Sequence, residues 1–246
     1  MVFNITECVD FHHGKRIVIT ILVCGHDVVI IMHKEGDALL IQQPVYYPFR
    51  EVIEDNGRIF VNNQLHYEDG KYTIDFEDFE KKIVDNNVKV FILCNPHNPV
   101  GRVWTKEELE KMGDICLKHN VVIMDDEIHC DFTYPGFKFT SFMTLDKKYH
   151  NSLVLYTSPS KTFNVAGLQP ANIIIKNPEL RAAYRKANAA AGYSQGSIMG
   201  QVAVKSVYTK GDEWVNELVE YITGNMNYMR DFVKENFPKA HFVDPE

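Results

Sequence analysis

The sequence predicts an α/β protein built on a largely parallel sheet with helices on both faces, and three observations predict it. Short apolar or β-branched runs bounded by turn residues recur along the chain. Amphipathic segments at helical spacing separate them, as strand–helix alternation requires. The unusual polar and aromatic residues gather just after the runs, where the strands of such a sheet end.

The runs are residues 38–42, 89–94, 121–124, 153–156 and 171–175. They are too short for helices and too continuous in apolar character for half-exposed strands, so they suit strands buried on both sides. Residues 76–84 read as a helix. So do residues 105–119, with Leu109, Met112, Ile115 and Cys116 on one face, Thr105 as N-cap and Glu107 and Glu108 at the positive end. Beyond Pro178 the pattern turns mainly helical, over 179–185, 198–207 and 214–237, and residues 242–246 look like the start of an extended segment.

Composition excludes several classes. The 246 residues are 45% hydrophobic and 12% aromatic, enough for a substantial core and against disorder. Thirty-three acids against 26 bases give a net charge of -7 without a basic block, which argues against nucleic acid as partner. The five cysteines are scattered without a CxxC pair or metal-finger spacing, and read as reduced thiols of a cytoplasmic protein without a metal. Lys15 and Arg16 precede an apolar run at 17–23 in the manner of a signal peptide. His26 and Asp27 interrupt it, no small-residue cleavage pattern follows, and no run is long enough to span a membrane.

Four loops follow the predicted strands, at 43–48, 95–101, 125–129 and 157–161. In the last, Lys161 follows a Ser-Pro-Ser turn, where burial would favour a neutral, nucleophilic amine; a solvated surface charge is the ordinary alternative. Asp126 ends an apolar run, where a carboxylate is costly without a cationic partner such as a protonated pyridine; a helix cap or strand-end turn is the alternative. His129 is placed to hydrogen-bond a ring oxygen, or is a satisfied histidine. Asn98 lies between two prolines and before Gly101, in a loop stiff enough to present one amide, or merely stiff. Tyr46 is able to lie flat over a planar ring, or is an ordinary core or interface tyrosine.

The strings PVYYPF, NPHNPVGR, DDEIHCDF and SPSKTFNVAGLQ together resemble the fold-type I pyridoxal 5'-phosphate (PLP) enzymes of the class I and II aminotransferase group. More closely, they are similar to the cystathionine β-lyase or cysteine-S-conjugate β-lyase branch. The resemblance runs from about residue 34 to 246 and implies the three-layer α/β/α large domain of that fold, its small domain largely missing. Residues 1–33 then form a divergent N-terminal segment. It further implies that Lys161 is the Schiff-base lysine, Asp126 the partner of the pyridine nitrogen, Asn98 a donor to the ring oxygen and Tyr46 the stacking aromatic. Ser158 would contact the cofactor phosphate. His129 stands where typical aminotransferases have tyrosine, and Gly167-Leu168-Gln169 where many carry a phosphate-binding arginine; both are lyase-like.

The likeness implies β-elimination from cystathionine or a cysteine conjugate, giving pyruvate, ammonia and a thiol, in a homodimer acting on a small amino acid. The alternatives are an aminotransferase of the same fold and a truncated domain that folds or binds a partner without turnover. Three departures stand out. The family's further N-terminal stretch is absent, residues 19–26 hold no Thr-Pro-Gly type of phosphate turn, and the chain stops before the arginine that pairs with the substrate carboxylate. Core surface normally covered by those parts is expected to be exposed and to promote association.

Overall fold

The computed structural model describes residues 34–190 and 197–246. Among them eight strands form: β1 (Ala38–Ile41), β2 (Ile59–Asn62), β3 (His66–Glu68), β4 (Lys71–Thr73), β5 (Val90–Cys94), β6 (Val122–Asp126), β7 (Leu153–Thr157) and β8 (Asn172–Ile175). Six make one sheet in the order β2-β1-β5-β6-β7-β8, and β3 pairs with β4 as a separate hairpin. The pairs from β2 through β7 are parallel, while β8 runs antiparallel to β7.

Helices cover both faces. They are α1 (Pro48–Asp55), α2 (Phe76–Asp85), α3 (Lys106–Lys118), α4 (Pro178–Ala190), α5 (Ile198–Lys210) and α6 (Asp212–Asn236). Successive strand residues point to opposite faces, so Leu40, Phe91 and Leu93 pack with Phe79 of α2 and Leu109 and Met112 of α3. Their neighbours Leu39, Ile41, Val90 and Ile92 pack on the other side with Ile53 of α1 and Tyr184 of α4. All four residues of β1 and all five of β5 are buried. Each large side chain so buried is worth about 1.5–3 kcal/mol relative to exposure, which makes these continuous runs the principal source of sheet stability.

Local chemistry fixes the helix ends. The Thr105 hydroxyl accepts from the Glu108 amide (3.2 Å) and the Glu108 carboxylate accepts from the Thr105 amide (2.8 Å), a reciprocal cap on α3. Asp75 caps α2 by accepting from the amides of Glu77 and Asp78. Asn87 and Asn120, just past the ends of α2 and α3, take left-handed backbone conformations that asparagine tolerates well.

After β1 the chain builds β2 on one side, then crosses to build β5 on the other. The carboxyl ends of β1 and β5 therefore flank a topological switch point, the usual place for a ligand crevice in an open α/β sheet. The loops carrying Tyr46 and Asn98 leave from those two ends.

The sequence reading missed α1, β2 and the β3–β4 hairpin. Helix α1 has only eight residues and one buried side chain, and Pro48 starts it by pre-setting the first turn. The short hairpin strands are mostly exposed, so they lack a hydrophobic pattern. Residues 242–246 form no strand; instead the Glu246 amide donates to the Gly101 carbonyl (2.8 Å). Around them Arg102 is buried in an ionic cluster, its guanidinium bonding Glu246 (2.8 Å) and both carboxylate oxygens of Glu108. The expectations for residues 1–33, including the 19–26 turn and the apolar run at 17–23, lie outside the described residues.

Candidate active site

A cleft of about 170 Å³ opens over the carboxyl ends of the central strands, lined by Tyr46, Asn98, Asp126, His129, Ser160 and Lys161 together with Phe49, Cys94 and Gln169. Five of the six residues singled out from the sequence meet there. Asp126 is the last residue of β6, in register with Cys94 of β5 and Tyr156 of β7. Alternation at the end of β6 and just beyond it buries Asp125 and Glu127 and leaves Asp126 half-buried at the cleft.

The Asp126 carboxylate accepts from the Ile128 amide (3.2 Å). Burial raises its pKa to about 6, opposed by that hydrogen bond and by the charge of Lys161. Burial lowers the pKa of His129 to about 4, with Lys161 adding to the effect, so the imidazole is neutral at neutral pH. Desolvation and the charges of Tyr47 and Asp126 push the Tyr46 phenol up. Its ring sits edge-on to Phe49 at 5.8 Å and presents an exposed aromatic surface to the cleft. The backbone amide of Asn98 donates to the Cys94 sulfur (3.4 Å), fixing its position at the edge of the cleft it lines.

Lys161 corrects one expectation: its side chain is exposed, not desolvated. It is the outward residue of a turn whose neighbours Ser160 and Thr162 are both buried, so the turn directs only the lysine into the opening. Ser158 does not line the cleft. Its hydroxyl donates to the Pro170 carbonyl (2.6 Å) and accepts from the Ser160 amide (3.0 Å), so it braces the turn.

Two participants escaped the sequence reading. Ser160 lines the cleft where Ser158 had been expected to serve. His97, buried between the first two loops, bonds through Nε2 to the Pro44 carbonyl (2.9 Å) and stands edge-on to Trp104 at 5.3 Å. Burial lowers its pKa to about 4, so a neutral ring ties the loop of Asn98 to that of Tyr46. Only the burial of that segment, not its residue types, would have revealed the link.

These side chains suit the ring of PLP. A half-buried carboxylate, whose charge is costly as it stands, would suit a protonated pyridine nitrogen; an exposed amine would suit an aldehyde; an aromatic face would suit a planar heterocycle. Among the described residues no group of metal-ligating side chains is found.

Residues 24–245 match the family described as aminotransferase class I and II. The chain is 42% identical over 211 residues to cystathionine beta-lyase PatB of Bacillus subtilis (strain 168), covering 86% of this chain and 54% of that protein. It is 31% identical to protein MalY of Escherichia coli (strain K12), again over 86% of this chain and 54% of the relative. The structure of cystalysin from Treponema denticola, which contains PLP, superposes with a TM-score of 0.87 at 38% identity, covering 91% of this chain and 57% of that one. A PLP-bound C-S lyase from Staphylococcus hominis, complexed with L-cycloserine, gives 0.85 at 34% identity over 94% of this chain and 58% of that one. The chain thus spans about half the length of the curated relatives it matches.

Proposed function

The chain belongs to the aminotransferase class I and II family, and from that premise we propose that residues 34–246 are the cofactor-binding large domain of a PLP-dependent carbon–sulfur β-lyase. The observation that carries this reading is that Lys161 and Asp126 line one cleft and feel each other's charge. One heterocycle would bridge them. The likeness to a cystathionine β-lyase and to C-S lyase structures supports elimination over amino transfer, as does His129 where aminotransferases carry tyrosine.

When bound, PLP supplies an electron sink for the pair left at Cα after deprotonation. Lys161 would hold the cofactor aldehyde and, with its amine free, would take the Cα proton of the substrate. Asp126 would keep its negative charge against the pyridine nitrogen, since a cation there offsets the burial cost that raises its pKa. The neutral imidazole of His129 and the amide of Asn98 would donate to the ring oxygen, and Tyr46 would cover the ring face. The Cβ–S bond would then break with its electron pair on sulfur, leaving an unsaturated amine whose hydrolysis would give pyruvate and ammonia.

The test is borohydride trapping of PLP on the purified protein, peptide mapping, and an assay of pyruvate from cystathionine without a keto acid. Label on Lys161 and keto-acid-independent pyruvate are expected. A Lys161→Ala protein that retains full pyruvate output would falsify the reading, and activity that needs a keto acid would make the protein an aminotransferase.

For assembly and location the reading is a cytoplasmic homodimer. Free thiols at Cys94, Cys116 and Cys130 agree with a reducing compartment. The exposed Trp214, Tyr221, Tyr228 and Phe232 of α6 form apolar surface suited to burial in an assembly. Among the described residues no helix is long and apolar enough to cross a membrane. Light scattering is expected to give the mass of a dimer; a clean monomer would count against it.

A further inference from the structure

We propose that Asp131 and Thr162 are positioning residues for Lys161, their mutual hydrogen bond fixing where the amine stands above the cleft; this rests on the reading of Lys161 as the cofactor-holding lysine. The Thr162 hydroxyl donates to the Asp131 carboxylate at 2.8 Å. Asp131 lies in the segment that runs on from Asp126, the last residue of β6, through His129, so one bond joins the lysine turn to the stretch holding two of its partners.

The rest of the turn is clamped independently. On the upstream side, the Ser160 amide donates to the Ser158 hydroxyl, which is itself tied to the Pro170 carbonyl. On the downstream side, the Trp214 indole donates to the Thr162 carbonyl (3.3 Å). The Phe163 ring lies against Gly211, where an added Cβ would come within 2.4 Å of Cε1. Those contacts hold the turn to Pro170, just ahead of β8, and to the start of α6. Thr162–Asp131 is the side-chain bond that refers it to the Asp126 segment. With Ser160 and Thr162 at 5% and 1% exposure flanking an exposed lysine, a small rotation of the turn swings the amine across the opening. A reacting group displaced by about 1 Å loses on the order of a hundredfold in rate.

The experiment compares the rate at which PLP becomes attached to Lys161, by borohydride trapping and mapping, with Lys161 labelling by formaldehyde and borohydride in protein free of cofactor. Formaldehyde reads only whether the amine is accessible; PLP must also meet Asp126 and the aromatic face. Thr162→Val, of nearly the same shape, and Asp131→Ala are expected to slow PLP attachment about tenfold or more while leaving formaldehyde labelling unchanged. Thr162→Ser and Asp131→Asn, which keep a donor and an acceptor, are expected to restore it. Combining Thr162→Val with Asp131→Ala is expected to be no slower than either alone.

Wild-type attachment to Lys161 with an unslowed Thr162→Val protein overturns the positioning role and leaves the lyase reading standing. Equal slowing of both labels marks a general loss of structure and also overturns it. Wild-type protein that takes PLP nowhere at Lys161 overturns the reading itself, and the positioning role with it.

Discussion

The carboxyl of Asp126 and the amine of Lys161 meet in one cleft from the ends of neighbouring parallel strands, and the lysine's charge offsets part of what burial costs the acid. Asp126 remains raised to about 6 from 3.8. The folded state therefore holds an extra proton between those two values, and stability present below about pH 4 is lost as pH climbs to about 6. Asp126→Asn removes that loss. The cofactor-free variant is expected to be more stable than wild type at pH 7 by about 1–3 kcal/mol in urea denaturation, and to bind PLP less tightly. A variant less stable than wild type at pH 7 would show that the carboxylate is structurally compensated.

His129 has the opposite sign. Its folded pKa is about 4, below the ordinary 6.5, so stability present above about pH 6.5 is lost as pH falls towards 4. His129→Gln is expected to gain on wild type across that window, by about 1–3 kcal/mol at its lower end, and to show no gain at pH 8. Parallel wild-type and variant stability curves from pH 8 to 4 would contradict the burial of this ring.

Asn98 lines the cleft while its backbone is held by Cys94. Asn98→Ala is therefore expected to weaken PLP binding about tenfold, the worth of one good hydrogen bond, without moving the denaturation midpoint. A shifted midpoint with unchanged PLP affinity would make Asn98 a scaffold residue only.

Gly113 sits on the inner face of α3, and a Cβ there would stand 2.7 Å from Cε1 of Tyr149 and 3.0 Å from Cζ of Phe142. Tyr149 has little freedom to yield, since its hydroxyl donates to Asp114 at 2.8 Å. Alanine gains about 1 kcal/mol of helix propensity, but overpacking costs about 1–3 kcal/mol. Gly113→Ala is expected to be destabilised by about 1 kcal/mol in urea; a stabilised protein would mean that the rings move aside.

Much of this was legible in the sequence because the relevant signals are local. β1, β5, β6, β7 and β8 came within two residues of their bounds from continuous apolar runs, and Thr105 with Glu108 announced the start of α3. The direction of β8 was not legible, because a run buried on both faces reads the same in either orientation. Ser158 and His97 depended on carbonyls at Pro170 and Pro44 that no spacing rule connects to them. The exposure of Lys161 likewise comes from the way Ser160 and Thr162 are drawn inward, Ser160 by the Pro170 carbonyl and Thr162 by Asp131, partners that no local spacing rule supplies.

Arg102 and Glu246 are separated by 144 positions. At ribosomal speeds the guanidinium emerges on the order of ten seconds before that carboxylate exists. Glu108 is its early companion, and Glu246 arrives much later. Until Glu246 emerges, a nascent chain thus holds the Arg102 end of its Asn98 loop without that second carboxylate, and the ionic cluster closes late.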